Sequence, residues 1–280
     1  MSLVTLKELL NRADKSNIAV GAFSVGNMEM ILGAVRAAEE LNTPIILQIA
    51  EVRLATSPLS IIGPMMVAAA ENSKVDICVH FDHGLKYNTV CEALDLGFTS
   101  VMLDGSLLPY EENIALTKKV VDTASEYGAS VEAELGVVGG NEGGGSAHKI
   151  QCTDPELADD FSKRTGIDAL AVAIGNAHGN YPVAPELRLD ILNQIDNQCN
   201  TPLVLHGGTG ITPQIFQECI KSGIRKVNIA TASFDAVARA AKETSSIDKP
   251  NYFTLSQSMA DAVYENVKNH IKIFNMEKLK

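Results

Sequence analysis

Three histidines in this chain each stand at the end of a short apolar run and beside a glycine. They are His83 in His80-Phe81-Asp82-His83-Gly84, His178 in Gly175-Asn176-Ala177-His178-Gly179, and His206 in Leu205-His206-Gly207-Gly208. Three imidazoles that converge on one divalent ion and leave a coordination position open make a catalytic zinc site rather than a structural one. One histidine at such a place is more often structural. Three of the chain's six, all in this context, point to ligation. His80 is two residues before Asp82 and shares its face, so it could support the ligands, whereas His148 and His270 have no such setting.

Carboxylates accompany the histidines. Asp82 adjoins one proposed ligand, where it could exchange a proton with a hydroxyl near the metal; the plain alternative is a loop aspartate that orients neighbouring N–H groups. Asp104 and Glu134 close the next two apolar runs. Each could bind metal or hold a ligating histidine, and each taken singly could equally form a salt bridge. Glu142 lies in a glycine-rich stretch, 136–145, that reads as a mobile loop. A carboxylate on a swinging segment suits an acid/base that arrives with the substrate, although composition alone favours a solvated loop glutamate. Gly207-Gly208-Thr209-Gly210 and Asn228-Ile229-Ala230-Thr231 each lead into a helical pattern. Backbone N–H groups of such glycine-rich turns, with helix N-termini behind them, suit a phosphate.

Bringing these residues together requires a particular scaffold. Strand-like runs occur at Ile18–Phe23, Pro44–Ile49, Asp76–Phe81, Ser100–Leu103, Ser130–Leu135, Ala169–Ile174, Pro202–Leu205 and Lys226–Ile229. Helical periodicity follows each, near 28–41, 60–72, 87–96, 110–127, 154–166, 187–197, 212–221 and 232–243, with an extra amphipathic segment near 256–274. Strands apolar on both faces that alternate with helices are parallel and covered on both sides. A doubly wound sheet fits that alternation, but eight units and the clustering of polar residues at the run ends favour a closed (β/α)8 TIM barrel, whose strand ends converge on one catalytic face. At 280 residues, one barrel accounts for the whole chain as a single domain, 1–280, with an extra C-terminal helix.

Composition narrows the class. With 34 Asp+Glu against 23 Lys+Arg, the net charge of −11 argues against nucleic acid or an anionic membrane as partner. An anionic substrate would have to be held by local devices. Five scattered cysteines without a Cys-x-x-Cys pair suit a reducing cytoplasm. No run reaches the ~18 apolar residues of a membrane span, and the first residues lack a secretory core. The expected setting is cytoplasmic.

Taken together, these residues resemble the class II, zinc-dependent fructose-bisphosphate/tagatose-bisphosphate aldolase family from about Leu6 to Phe274. The longest matching motifs are His80-Phe81-Asp82-His83-Gly84 and Val131-Glu132-Ala133-Glu134-Leu135-Gly136 continuing to Gly139-Gly140-Asn141-Glu142. Ala177-His178-Gly179, His206-Gly207-Gly208-Thr209-Gly210 and Lys226-Val227-Asn228-Ile229-Ala230-Thr231 support them. The resemblance implies reversible retro-aldol cleavage of a ketose 1-phosphate or 1,6-bisphosphate to dihydroxyacetone phosphate and an aldehyde. It implies catalytic Zn2+ on His83, His178 and His206, and a second divalent ion near Asp104 and Glu134. Asp82 matches the proton donor at the cleaved bond, and Glu142 the loop acid for the dihydroxyacetone phosphate half. Gly179, Gly207, Gly208, Thr209, Asn228, Ile229, Ala230 and Thr231 match the phosphate cradle, with a monovalent cation (Na+ or K+) near Gly179 and Gly207. A homodimer or homotetramer is implied as well.

The chain also departs from the pattern. Ser24 and Ala50 replace the larger polar groups common at the far end of the substrate, and Gln257 falls where many relatives place a phosphate-binding arginine. Glutamine cannot offer a charged fork. The expectation is a ketose 1-phosphate with an uncharged or carboxylated far end, unless Arg225, Lys226 or a neighbouring subunit supplies the charge. Two readings compete with an aldolase: a zinc hydrolase on the same barrel, and a non-catalytic partner subunit.

Overall fold

Every other residue along each apolar run faces the same way, and this alternation builds two cores. The computed structural model describes residues 2–140, 149–181, 185–247, 249 and 251–278. Eight parallel strands close into a barrel in sequence order: β1 (Val20–Ser24), β2 (Ile45–Ala50), β3 (Ile77–Gly84), β4 (Ser100–Leu103), β5 (Ser130–Leu135), β6 (Ala169–Val172), β7 (Leu203–Leu205) and β8 (Ile224–Ile229). Ile45, Leu47 and Ile49 of β2 and Ile77, Val79 and Phe81 of β3 point outward into a continuous core beneath the helices. Their alternates point into the barrel, and there the composition changes along the axis. Ala22, Ile46, Cys78, Ala169, Ala171 and Val204 fill the lower interior, while Gln48, His80, Ser100, Glu132 and Lys226 are fully buried above them.

The helices are α1 (Leu6–Ser16), α2 (Met28–Glu40), α3 (Leu59–Glu71), α4 (Tyr87–Asp95), α5 (Tyr110–Glu126), α6 (Pro155–Thr165), α7 (Leu189–Gln198), α8 (Pro213–Lys221), α9 (Thr231–Ser245) and α10 (Tyr252–Phe274). The last is the expected C-terminal helix, four residues longer at its start than its pattern, and it packs along α2 and α9.

Two differences from the sequence-based expectation matter. The first is α1, which precedes the first strand and plugs the lower end of the barrel with Leu6, Leu9, Leu10 and Ala13. Its signals were local. Thr5 and Glu8 form a reciprocal capping box, and the buried residues recur at helical spacing. Ser130 Oγ accepts the Lys7 N–H at 3.0 Å, and Lys7 Nζ lies 3.0 Å from Asp168, so the plug is tied to β5 and to the turn before β6.

The second difference is at β3, which continues through Asp82, His83 and Gly84 rather than stopping at Phe81. Its pairing with β4 slips between Phe81 and Gly84, and His83 lies in the left-handed region at φ 42°. A bulge of this kind re-aims a side chain at the end of a strand, and the backbone cost, on the order of 1–3 kcal/mol, must be offset by what the side chain does.

Candidate active site

The upper ends of β3 to β8 carry the site. His83 Nε2 and His206 Nδ1 face one another at 2.8 Å. Carboxylates decide which nitrogens bear protons: His83 Nδ1 donates to Asp104 Oδ2 at 3.0 Å, and His206 Nε2 donates to Glu132 Oε1 at 2.7 Å. With those N–H bonds made and both rings neutral, the two facing nitrogens each present a lone pair, and a proton on His83 bridges them when no metal is there. The imidazole of His178 stands with its ring centroid 4.8 Å from that of His83. One ligand atom from each of the three histidines fits within 4.8 Å. Two lone pairs aimed at each other need a cation between them. Carboxylates that orient the opposite ring nitrogens are what metal-ligating histidines require. The residues therefore fit a metal.

Electrostatics agree. Burial opposes a charge on His83, but the carboxylates of Asp82, Asp104 and Glu134 outweigh it and raise its pKa to about 10. His178 and His206 are pushed well below the usual imidazole range by burial and by the positive charge of His83. In the absence of metal, the cluster thus holds one positive charge at the place of the proposed ion. Glu134 is pushed up to about 8 by burial and by Asp104, and its buried Oε2 accepts no hydrogen bond from the described residues. His83, Asp104 and Glu134 form a second group whose ligand atoms lie within 4.8 Å, as expected for a second ion.

Asp82 sits beside this cluster with its carboxylate fixed from two sides. Asn228 Nδ2 donates to Oδ1 at 3.2 Å, and Gln48 Nε2 donates to Oδ2 at 3.1 Å. Both donors belong to a buried network. Lys226 Nζ donates to Asn228 Oδ1 at 2.7 Å and forms an ion pair with Glu132 Oε2 at 2.8 Å. One buried ammonium therefore reaches Asp82 through Asn228 and His206 through Glu132. His80 donates or accepts at Ser100 Oγ, 2.8 Å away. Asn176 holds the loop carrying His178 by donating to the His206 carbonyl at 3.0 Å. Glu132, Gln48 and Asn176 were not singled out as functional from the sequence, and Lys226 was considered only as a source of charge for the far end of the substrate. Glu132 and Lys226, charges on inward-facing strand positions, were the signal available.

The predicted phosphate residues meet at one pocket. Gly179, Gly207, Gly208, Thr209, Asn228, Ala230 and Thr231 line it together with Gln48, Asp82 and His178. Ile229 is instead fully buried in the outer core. No side chain of the preceding residue caps α9; Thr209 reaches across from the loop after β7 and accepts the Ala232 N–H at 3.0 Å. Gly207, at φ 65°, passes so close to the loop after β6 that a Cβ would stand 2.2 Å from the Ala177 oxygen. Its carbonyl already accepts the Tyr181 hydroxyl at 3.0 Å, so a monovalent cation there would share that oxygen.

The remaining predicted residues divide. Ser24 and Ala50 are buried at the ends of β1 and β2, with Ser24 accepting from Gln48 at 3.2 Å and Ala50 in register with Asp82. Gln257 is not brought to the pocket. It is exposed on α10 and donates to Asp261, which also accepts from Arg36. Its identity therefore does not thin the charge of the pocket within this chain. Arg225 and Lys226 do not replace it: Arg225 pairs with Asp14 of the plug at 2.6 Å, and Lys226 is committed inside the barrel. Glu142 lies outside the described residues. Gly140, just before it, packs over His178, where a Cβ would meet the His178 oxygen at 2.7 Å.

This architecture is shared with known proteins. The model for fructose-bisphosphate aldolase class-II matches residues 4–278. A fructose-bisphosphate aldolase of Staphylococcus aureus (strain Mu50 / ATCC 700699) is 39% identical over 279 residues, 98% of each chain. One from Geobacillus stearothermophilus is 39% identical over 256 residues, 90% of this chain and 89% of that one. Among solved structures, the YdjI aldolase of Escherichia coli K12 superposes with a TM-score of 0.87 at 34% identity over 97% of both chains. With its closed barrel, converging histidines and near-complete coverage by these relatives, the chain belongs to the class II fructose-bisphosphate aldolase family.

Proposed function

We propose that the protein is a zinc-dependent lyase that cleaves a ketose 1-phosphate or 1,6-bisphosphate reversibly to dihydroxyacetone phosphate and an aldehyde. Fructose and tagatose 1,6-bisphosphates are the reference substrates. The single observation that carries this reading is the pair of imidazole lone pairs on His83 and His206, held face to face by Asp104 and Glu132, with His178 completing the set. Zinc on these three histidines would supply the Lewis acidity that stabilises negative charge on the enediolate left by cleavage.

The chain's own residues supply the rest. Asp82 lies beside the ligands with both oxygens held by amide donors, so it can take the proton of the hydroxyl at the bond being broken and return it in condensation. The pocket of Gly179, Gly207 to Thr209 and Thr231 suits the phosphate of the dihydroxyacetone phosphate half. Glu142 is proposed for proton exchange on that half.

A cytoplasmic enzyme of two or four copies belongs to the same reading. No helix among the described residues is long and apolar enough to cross a membrane. Tyr252 and Phe253, 63% and 81% exposed at the start of α10, suit burial against another copy. Purified protein, stripped with chelator and reloaded with Zn2+, should release dihydroxyacetone phosphate from phosphorylated ketoses only when reloaded. A metal-dependent hydrolytic product without any trapped dihydroxyacetone phosphate would favour the zinc-hydrolase alternative.

A further inference from the structure

The loops after β6 and β7 each carry one proposed metal ligand, His178 and His206, and they lie closer together than a side chain between them would allow. A Cβ on Gly207 would stand 2.2 Å from the Ala177 oxygen. Several bonds fix this junction. Asn176 Nδ2 donates to the His206 carbonyl at 3.0 Å. The Asn176 carbonyl accepts the Gly139 N–H at 3.1 Å, and the Gly208 N–H donates to the Asn228 carbonyl at 3.2 Å. Two groups beside the histidines have no backbone partner among the described residues, the Ala177 N–H and the Gly207 carbonyl.

The phenol of Tyr181 serves both. Its hydroxyl accepts the Ala177 N–H at 2.7 Å and donates to the Gly207 carbonyl at 3.0 Å. A hydroxyl has one proton to give and lone pairs to receive with, so it can link a donor to an acceptor, which neither an N–H nor a carbonyl can do alone.

Both peptide planes are thereby pinned at two ends. The peptide between residues 176 and 177 is held at its carbonyl by Gly139 and at its N–H by Tyr181. The peptide between residues 207 and 208 is held at its carbonyl by Tyr181 and at its N–H by Asn228. A planar unit held at both ends cannot turn about the chain, and each ligating histidine is attached next to one of these units. The half-buried ring also lies against the phosphate turn, since a Cβ on Gly210 would stand 3.2 Å from Tyr181 Cδ2.

We propose that Tyr181 is a positioning residue whose hydroxyl sets the spacing of His178 and His206 for the metal and holds the turn from Gly207 to Thr209 for the phosphate. It acts through the neighbours of the ligands. Groups that orient metal ligands in this way typically change metal affinity or activity roughly 10- to 100-fold when removed. A tyrosine placed only for packing would act through its ring, which joins the outer core, and loss of its hydroxyl would lower stability alone. The inference rests on the proposed metal site and deepens it.

The test removes the hydroxyl and keeps the ring. Tyr181→Phe is compared with wild type and with Tyr110→Phe, which loses a hydroxyl that donates to Asp160 at 2.8 Å and joins α5 to α6 without lining the pocket. Chelator competition reads zinc affinity, the visible absorption of the Co2+-loaded protein reads ligand geometry, and thermal denaturation reads stability. Tyr181→Phe should bind zinc roughly 10- to 100-fold more weakly and shift the cobalt spectrum. At saturating zinc it should raise KM for fructose 1,6-bisphosphate more than it lowers kcat. Tyr110→Phe should keep wild-type affinity and spectrum, whatever happens to its melting temperature. Wild-type zinc affinity with an unchanged cobalt spectrum in Tyr181→Phe would overturn the assignment and leave the phenol a packing residue. If that variant does not fold, hydrogen exchange on the wild-type protein decides. Zinc should slow the amides of residues 176–178 and 207–209 together, and protection of one loop alone, or of neither, overturns the role. A wild type that binds no zinc overturns the metal site and this inference with it. A wild type that binds zinc but releases no dihydroxyacetone phosphate from phosphorylated ketoses refutes the cleavage reading alone, because affinity and spectrum still decide the role of Tyr181.

Discussion

The two ends of the barrel interior are built from the same alternation of residues and come to opposite results. At the lower end, small and aliphatic side chains such as Ala22, Ile46, Cys78 and Val204 pack against Leu6, Leu9 and Leu10 of the plug, with no charged side chain among them. At the upper end, one more inward step along the same strands puts Gln48, His80, Glu132, Lys226 and then Asp82, Glu134 and Asn228 in nearly complete burial. There, buried atoms such as His80 Nε2, Gln48 Oε1 and Glu134 Oε2 have no hydrogen bond among the described residues. Unpaired buried polar atoms cost about 1–3 kcal/mol each, so the upper end is a place where stability has been given up. The lower end holds the barrel shut, and the upper end gathers the groups proposed to hold a cation and a substrate.

That contrast breaks most sharply at the ligands. His206→Ala removes a lone pair that the lower core cannot replace. Zinc content should fall below one equivalent and turnover by several orders of magnitude, read by metal analysis and a dihydroxyacetone phosphate assay on the same sample. Near-normal turnover after stringent chelation would remove the metal assignment altogether. The next effect separates the two acids. Asp82→Ala should nearly abolish cleavage yet spare solvent proton exchange on dihydroxyacetone phosphate, because that half-reaction does not involve the hydroxyl at the cleaved bond. Glu142→Ala should do the reverse. Parallel loss of both activities in both variants would end this division of roles.

Much of the upper end was legible in the sequence. A metal ligand must be a particular residue type at a strand end, so His83, His178 and His206 stood out as candidates, as did Asp82, Asp104 and Glu134, and the structure brings these six together. The outer core was legible because two-sided apolar strands and amphipathic helices repeat. Three features were not. The bulge that turns His83 toward the mouth depends on β4 pairing one residue out of step, which no local pattern encodes. The Lys226–Glu132 pair joins residues on different strands, and only barrel closure makes their meeting unavoidable. The place of Gln257 depends on how α10 lies against α2, where Asp261, itself paired with Arg36, accepts from it, so an aligned position gave no guide to a side-chain direction. The plug, by contrast, was readable from Thr5, Glu8 and the leucine spacing.

Two substitutions of similar thermodynamic weight sharpen the comparison. Leu10→Ala empties part of the dry lower core and should cost about 2–5 kcal/mol of stability, with kcat within about twofold of wild type. Lys226→Met leaves Glu132 as a buried carboxylate without its countercharge and should cost about 3–5 kcal/mol. It should also weaken zinc binding and lower kcat, because Glu132 orients His206 and Asn228 orients Asp82. Thermal denaturation, chelator competition and steady-state rates on the two proteins check this. Equal effects on kcat would mean that the two ends are not functionally distinct.

The smallest expected effect is a dependence of metal-free stability on pH, and its sign follows from the upper cluster alone. His83 is raised to about 10 in the fold from an ordinary value near 6.5, chiefly because Asp82, Asp104 and Glu134 outweigh the cost of burial. Its stabilising contribution is present in full below pH 6.5 and is lost as pH rises through 10. Glu134 is raised to about 8 from 4.5 by burial and Asp104, so the native state prefers its neutral form. Ionising it costs the fold free energy progressively between pH 4.5 and 8. The two slopes have the same sign, and the metal-free protein should lose stability between pH 6.5 and 8, where the windows overlap. Zinc replaces these protons with a fixed positive charge, so the loaded protein should show a flatter profile there. Denaturant midpoints at pH 6.5 and 8, with and without Zn2+, measure the difference. A metal-free midpoint that rises with pH would mean that the carboxylates around His83 do not hold its charge as this geometry requires.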